Sequence, residues 1–302
     1  MVYAAQSQWS CMLSRLNHKP FDAMSNTLNT RPLSRRHFLG TSTAASLVAA
    51  GPYPTAAQVK PTLDFNDPTD NLTAMIKMRG SLIPEDVPHW YCGTIYGVVP
   101  GKAPIAMVDF EGSEIDFYQQ QPDGSYHAYG ATVSFFRNTL TGRLLDVFEN
   151  PITGETNEVQ PNSIAVNAYY IYSIYGMKRS DDEAPLQEQP QIQKHLKWWF
   201  SGDHVWLNMR RPYPARFPVG EDQLVRGSFG ELHNSALPKV QTTGSPTFIA
   251  PWLSWMDMEG YPGHTVWSGP AHKLNRVEDY PSELLTLMEQ DFPEKLSAKP
   301  HA

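Results

Sequence analysis

Apolar and polar residues alternate with a period of two along much of the chain, which predicts β-strands. In "DHVWLNMR", Val205, Leu207 and Met209 fall on one side of such a strand, opposite His204 and Trp206. Further segments rich in β-branched and aromatic residues also predict strands. They are "HWYCGTIYGVV", "IAMVDFEG", "EIDFYQQ", "YHAYGATVSFFR", "SIAVNAYYIYSIYG" and "TFIAPWLSWMDM".

Two segments instead show helical spacing. One covers residues 70–79, with Thr69 or Asp70 as the predicted N-cap. The other covers residues 281–290, where Pro281 suits the first turn of a helix. An apolar stripe runs along this second helix, formed by Leu284, Leu285 and Met288.

Repeated glycine turns separate the strands between residues 113 and 175. Asp123-Gly124 is a hairpin signal, and Gly142 and Gly154 are each predicted to end a turn with a positive φ. Turns at these intervals describe an antiparallel meander. We therefore predict a mainly β fold, in which the meander closes into a barrel-like or strongly curved sheet with a few peripheral helices. A two-sheet sandwich is the alternative. A phosphate-binding loop is disfavoured because no helix and no lysine follow these glycines in the required places.

The first 57 residues resemble an export leader. Arg35 and Arg36 precede "HFLG" and a short apolar run, which is typical of a twin-arginine signal. We expect residues 1–57 to be removed, 58–68 to form an extended arm, and 69–302 to form a single β-rich domain. The expected location is periplasmic or secreted, with the twin-arginine export machinery as a partner and no stable membrane insertion.

The net charge of the chain without the predicted leader indicates which partners to expect. The chain has 24 Lys and Arg and 31 Asp and Glu, and the leader contains five of the basic residues and one acid. The remaining 19 basic and 30 acidic residues give a formal charge of −11. Such a chain is repelled by nucleic acid, so no nucleic-acid partner is expected.

Three longer motifs carry a family resemblance: "TGRLLDVFENPITGE", "PWLSWMDMEGYPGHTVWSG" and "EDYPSELLTLMEQDFPEKL". With them, residues 70–296 resemble the bacterial and fungal family called domain of unknown function 1838 (DUF1838). The resemblance implies one domain and is in keeping with an export leader. It brings no activity and no catalytic residue with it.

Four residues are candidates for acid–base catalysis. Glu231 and His233 in "GELHN" share one face if the segment is a strand, as an acid–base or metal pair requires. In "WMDMEGYPGH", Asp257 shares a strand face with Glu259, and His264 follows a turn. Neighbouring carboxylates can raise one pKa and create an acid. For both segments, a solvated strand face is the simpler alternative.

The candidate ligand-binding residues are mostly aromatic. The chain has eight Trp and 14 Tyr, and in a barrel too wide for its side chains to fill, inward aromatics line a cavity. We expect His127, Tyr129, Trp252 and Trp255 to contribute to it, with Arg137 to fix a carboxylate. Core packing alone is the alternative role for the aromatics, and solvent exposure is the alternative for the arginine.

Cofactor motifs narrow the possible functions. The chain lacks a Gly-x-Gly-x-x-Gly fingerprint, a Cys-x-x-Cys-His site and paired cysteines, so no NAD, FAD, haem or iron–sulfur cluster is expected. A mononuclear metal with dispersed ligands remains possible. We expect an exported lyase, isomerase or hydrolase that acts on a small apolar or aromatic molecule. A non-catalytic exported carrier of such a ligand is the alternative.

Overall fold

The computed structural model describes residues 63–165, 169–183, 185–210 and 220–300. The predicted leader, including Arg35 and Arg36, and residues 58–62 of the predicted arm lie outside the described residues. The described residues belong to one compact unit, Lys60–Ala302.

Strands dominate the described part of the chain, which also contains three α-helices and a few 3-10 turns. In chain order the elements are α1 (Pro68–Arg79), β1 (Asp86–Val98), β2 (Ile105–Gln120), β3 (Tyr126–Arg137), β4 (Val147–Glu149), β5 (Thr156–Glu158), β6 (Asn162–Ala165), β7 (Tyr170–Ser173), β8 (Gly176–Arg179), β9 (Leu196–Ser201), β10 (His204–Arg210), β11 (Gly220–Ser228), α2 (Phe229–His233), β12 (Thr243–Ala250), β13 (His264–Ser268), β14 (Ala271–Lys273) and α3 (Ser282–Asp291).

One large antiparallel sheet contains most of these strands, in the order β8-β7-β3-β2-β1-β13-β12-β11-β10-β9. Two meanders make up this order: β1-β2-β3 from the first part of the domain and β9 to β13 from the second. They join where β1 pairs with β13, for example Ile95 with Trp267. Strand β14 continues β13 and pairs with the same two neighbours, β1 and β12. The predicted mainly β, antiparallel fold with peripheral helices is confirmed.

The predicted glycine turns are confirmed by their backbone angles. Gly124, Gly142 and Gly154 have φ values of 83°, 67° and 77°. In the two repeated turns an asparagine organises the loop: Asn138 Oδ1 accepts a hydrogen bond from the Thr141 N–H at 2.9 Å, and Asn150 Oδ1 accepts one from the Ile152 N–H at 2.9 Å. The repetition therefore shapes two short loops.

Helix α1 begins earlier than the sequence predicted. Its N-cap is Asp67, whose Oδ1 accepts hydrogen bonds from the Thr69 and Asp70 N–H groups at 2.8 and 3.0 Å, so a cap at Thr69 or Asp70 is wrong. Pro68 occupies the first helical turn, where its missing N–H costs nothing. One buried lysine fixes the other end of α1. Lys273 Nζ donates to the Lys77 and Gly80 carbonyls at 3.0 and 2.5 Å.

Helix α3 packs on the outer face of β3. Leu284 and Met288 are fully buried against Val133 and Phe135, which confirms the predicted stripe, although the helix begins at Ser282. On β10, the predicted alternation also holds, since Val205, Leu207 and Met209 are all buried. Helix α3 thus covers the outer face of the sheet at β3. A site in this part of the sheet is therefore expected on the opposite, inner face.

Candidate functional site

A cavity of about 200 Å³, partly open to solvent, lies against the inner face of the sheet. Its lining comes from strands that are distant in sequence. The lining residues are Arg79, His89, Tyr91, Phe110, Glu114, Thr132, Ser134, Glu221, Gln223, Leu224, Val225, Gly244, Pro246, Phe248, Trp267 and Ala271.

The period of two explains why these side chains meet. Thr132 and Ser134 on β3, and Glu221 and Gln223 on β11, each lie two residues apart and so share a face. Between β3 and β11 the sheet has five strand-to-strand steps, or roughly 24 Å if it were flat. Because both strands line the same small cavity, the sheet is strongly curved around it.

Aromatic side chains form the apolar wall. Trp267 lies at the centre, with its ring centroid 5.1 Å from that of Phe110 and 6.3 Å from that of Phe248. Its indole N–H donates to Thr265 Oγ1 at 3.2 Å, so its polar atom already has a partner in the protein. The wall can therefore bury an aromatic or aliphatic group of a ligand without leaving a polar atom unpaired.

Charged side chains gather at the α1 end of the cavity. Arg79 Nη2 lies 3.4 Å from Asp116 Oδ2 and 3.7 Å from Glu114 Oε1. His89 donates from Nε2 to the Arg79 carbonyl oxygen at 3.1 Å, and the same nitrogen lies 3.7 Å from Asp116 Oδ2. When the ring is neutral, Nδ1 is therefore the acceptor nitrogen. Asp116 is buried behind this cluster, whereas Glu114 is part of the cavity lining.

Tyr91 forms the floor between the charged and aromatic parts. Its hydroxyl donates to the Val133 carbonyl oxygen at 2.9 Å and is 2.9 Å from Ser134 Oγ. Burial raises the pKa of Tyr91, so the phenol stays protonated through the ordinary pH range. Because the tyrosine proton is donated to the backbone, Ser134 Oγ is the donor in its hydrogen bond with the tyrosine oxygen.

A glutamine and a glutamate form the polar part of the β11 wall. Gln223 Nε2 donates to Glu221 Oε1 on the same strand face. Gln223 is only 4% exposed, and its Oε1 has no hydrogen-bond partner among the described residues. A buried acceptor without a partner costs free energy, which marks this position as one where a ligand is expected to donate.

The four predicted catalytic residues do not gather at this cavity. No hydrogen bond or ion pair of the described residues joins any two of Glu231, His233, Asp257 and His264. Glu231 and His233 are wrong as a strand pair, because they lie in the short helix α2, capped by Ser228. His233 Nδ1 accepts from the Leu63 N–H at 2.9 Å. Its role in the structure is to hold the chain that precedes α1.

Asp257 and Glu259 are likewise not on a strand. Strand β12 ends at Ala250, just before Pro251, and a 3-10 turn, Ser254–Met256, follows. Asp257 caps that turn with φ 48° and is exposed, so the predicted strand face shared with Glu259 is wrong. His264 begins β13, where it pairs with Val98 of β1.

The predicted ligand-binding residues lie elsewhere as well. The rings of His127 and Tyr129 pack on Tyr169, at centroid distances of 4.5 and 4.8 Å. Arg137 Nη2 lies 2.7 Å from Glu111 Oε2 and 3.2 Å from Glu283 Oε2. Its charge is thus engaged by two carboxylates within the protein.

The two predicted tryptophans belong to a core cluster. Trp252 donates from its indole to the Tyr261 carbonyl oxygen at 3.0 Å. The Trp255 ring packs against Phe136 and Phe148, with centroids 5.1 and 5.3 Å apart. Neither is part of the cavity lining, so packing accounts for both.

Two features are absent from the described part of the chain. Within it, no group of three or more His, Cys, Asp and Glu residues is arranged to hold a metal ion. Nor does any helix there combine the length and the apolar character needed to cross a bilayer.

Comparison with known protein families finds a match over part of the chain. Residues 85–200, from the start of β1 into β9, match the family model described as "Protein of unknown function (DUF1838)". The predicted resemblance is confirmed over this range. The motifs that begin at Pro251 and Glu278 lie outside it.

Other comparisons add nothing that bears on function. No curated protein matched the chain. Among solved structures, a chain from "The complex structure of Pseudomonas aeruginosa MucA/MucB" has 10% identity and a TM-score of 0.11, over 78% of this chain and 99% of that one. A likeness at that TM-score supports no argument about either fold or function.

Proposed function

We propose that the protein is an enzyme of the lyase, isomerase or hydrolase type that acts on a small, largely apolar molecule in the inner-face cavity. The observation that carries this proposal is the position of Glu114, a cavity-lining carboxylate beside the Arg79 guanidinium and next to an aromatic wall. An apolar pocket with a few convergent polar and titratable groups is the usual form of a small-molecule active site.

Each group has a role in this proposal. The rings of Phe248 and Trp267 bury the apolar part of the substrate. Glu114 accepts or returns a proton, because it combines cavity access with a carboxylate. Arg79 stabilises negative charge that develops on the substrate, and the buried Asp116 holds the guanidinium in place.

The experiment starts from ligands that the protein itself selects. The purified full-length chain is incubated with a metabolite extract, and retained compounds are identified by native mass spectrometry. The compounds are then incubated with the wild type and with Glu114→Gln. The proposal expects the wild type to convert a retained compound and the variant to retain it unchanged. Recovery of the same unaltered compound from both proteins would instead support the carrier.

Export through the twin-arginine route is a separate proposal. It is supported by Arg35, Arg36 and the apolar run after them. The double change of Arg35 and Arg36 to lysine should keep the protein in the cytoplasm, as measured by fractionation and immunoblotting. Equal export of the variant and the wild type would contradict it.

A further inference from the structure

We infer that the side-chain carbonyl of Gln223 selects ligands that donate an O–H or N–H hydrogen bond, and that the cavity takes a single-ring molecule bearing such a group. This inference rests on the proposed function of the cavity as a binding site. The inference adds the chemical class of the ligand and names the residue that recognises the donor group of that ligand.

The orientation of the Gln223 amide is set by its neighbour. Glu221 lies two residues earlier on β11, and the Gln223 amide nitrogen donates to its carboxylate. The reverse orientation would set the amide oxygen against a carboxylate oxygen, two acceptors with no proton between them. The amide therefore keeps its oxygen, Oε1, as the atom without a protein partner.

Burial makes that oxygen selective. Gln223 is 4% exposed and lies in the cavity lining, so a ligand that fills the cavity displaces solvent from this wall. A ligand with a hydrogen-bond donor offsets the free-energy cost of desolvating Oε1. An isosteric ligand without a donor leaves this acceptor unpaired. A ligand carboxylate would bring a second acceptor to the same place and is disfavoured for that reason.

The size of the cavity limits the rest of the molecule. An apolar protein cavity of roughly 150 Å³ holds benzene. The present cavity, at about 200 Å³, therefore suits one ring with a small substituent. The Phe248 and Trp267 rings supply an aromatic surface for that ring, on the strand next to Gln223 and the strand after it.

Phenol and toluene test the inference, because they have nearly the same shape and differ in one donor. Binding is followed by the indole ¹H–¹⁵N resonance of Trp267 in the full-length protein, assigned with Trp267→Phe. For the wild type we expect phenol to bind about fivefold to tenfold more tightly than toluene. In Gln223→Met the two should bind equally, through loss of phenol affinity alone.

The chain offers a matched control. Gln193 also has a buried Oε1 with no partner among the described residues, but it is not in the cavity lining. Gln193→Met should therefore keep the preference of the wild type for phenol. Retained toluene affinity in Gln223→Met verifies that its cavity is intact. If that variant does not fold, Gln223→Leu takes its place with the same expectation of equal phenol and toluene affinities.

The remaining outcomes separate this inference from the proposed function. Equal affinities of the wild type for phenol and toluene would overturn donor selection and leave the binding cavity standing. A preference for phenol that persists in Gln223→Met would overturn the role of this residue alone. Binding of neither probe to the wild type would overturn the proposed function, and the inference with it.

Discussion

The ring of Tyr91 lies directly over Gly112 on the neighbouring strand. A Cβ built at Gly112 would be 2.5 Å from both Cζ and Oη of Tyr91 and would also overlap the Val133 carbonyl oxygen. Strand β2 therefore needs a glycine at this position, because the tyrosine that forms the cavity floor occupies the space of a side chain.

Gly112→Ala should destabilise the protein and disturb the cavity floor. The added methyl group forces Tyr91 or the backbone to move, and overpacking of this kind costs about 1–3 kcal/mol. Urea unfolding measures the loss. Gly130→Ala is the control, because its Cβ would lie 3.6 Å from its nearest neighbour, Asp116 Oδ1. Equal destabilisation by both changes would contradict the close packing of Tyr91.

Arg79→Met should cause one of the larger losses of stability. Asp116 and Arg79 are 6% and 7% exposed in their side chains, so the change leaves a buried carboxylate with less compensation. Breaking a buried ion pair in this way typically costs about 3–5 kcal/mol. Arg210→Met is the control, since its ion pair with Asp222 lies on the surface. Its midpoint of urea unfolding should not change, and a similar shift for both variants would count against the Arg79 cluster.

The two repeated turns should respond differently to the same substitution. Asn150 is fully buried and its Nδ2 also donates to the Met256 carbonyl oxygen at 3.4 Å, so Asn150→Ala should cost about 1–3 kcal/mol. Asn138 organises its loop at the surface, and Asn138→Ala should cost about 0.5 kcal/mol or less. Thermal unfolding of both variants checks the order. The opposite order would show that Asn150 does not tie its loop to the core.

Much of the fold could be predicted because its determinants are local. Alternation, glycine turns and the stripe of α3 each depend on residues close together in the sequence. Two local signals were missed. Ser228 and Glu231 have the spacing of a capping box, which indicated a helix at "GELHN", and Asp67 followed by Pro68 marked the true start of α1.

The site could not be predicted in the same way. Arg79, Glu114 and Gln223 come from α1, β2 and β11, and they meet only because β1 pairs with β13 and joins the two meanders. No local pattern specifies which strands of two separate meanders become neighbours. The alternation of Glu221, Gln223 and Val225 did indicate a shared face, but not that the face lines a cavity.

Acidification should lower stability through His233. Burial, and then the positive charge of Lys77, lower the pKa of His233 below its ordinary value of 6.5. In the window between that lowered folded-state pKa and 6.5, the unfolded chain binds more protons than the native protein. The stability contribution is therefore complete above pH 6.5 and is lost as the pH falls through the folded-state pKa.

Urea unfolding at pH 7.5 and at pH 5, for the wild type and for His233→Gln, measures this contribution. Burial also lowers the pKa of His127 and His195, so the variant should lose less stability on acidification than the wild type but should still lose some. An identical loss in the two proteins would contradict the assignment to His233.

The central claim is that the inner-face cavity binds small molecules, and filling it with a side chain tests that claim most directly. Ala271 lies in the cavity lining, whereas Ala236 is exposed. Titration of toluene against the Trp267 indole resonance should give saturable shifts in the wild type and in Ala236→Phe, and none in a folded Ala271→Phe. Saturable shifts of equal size in all three proteins, or in none of them, would contradict the claim.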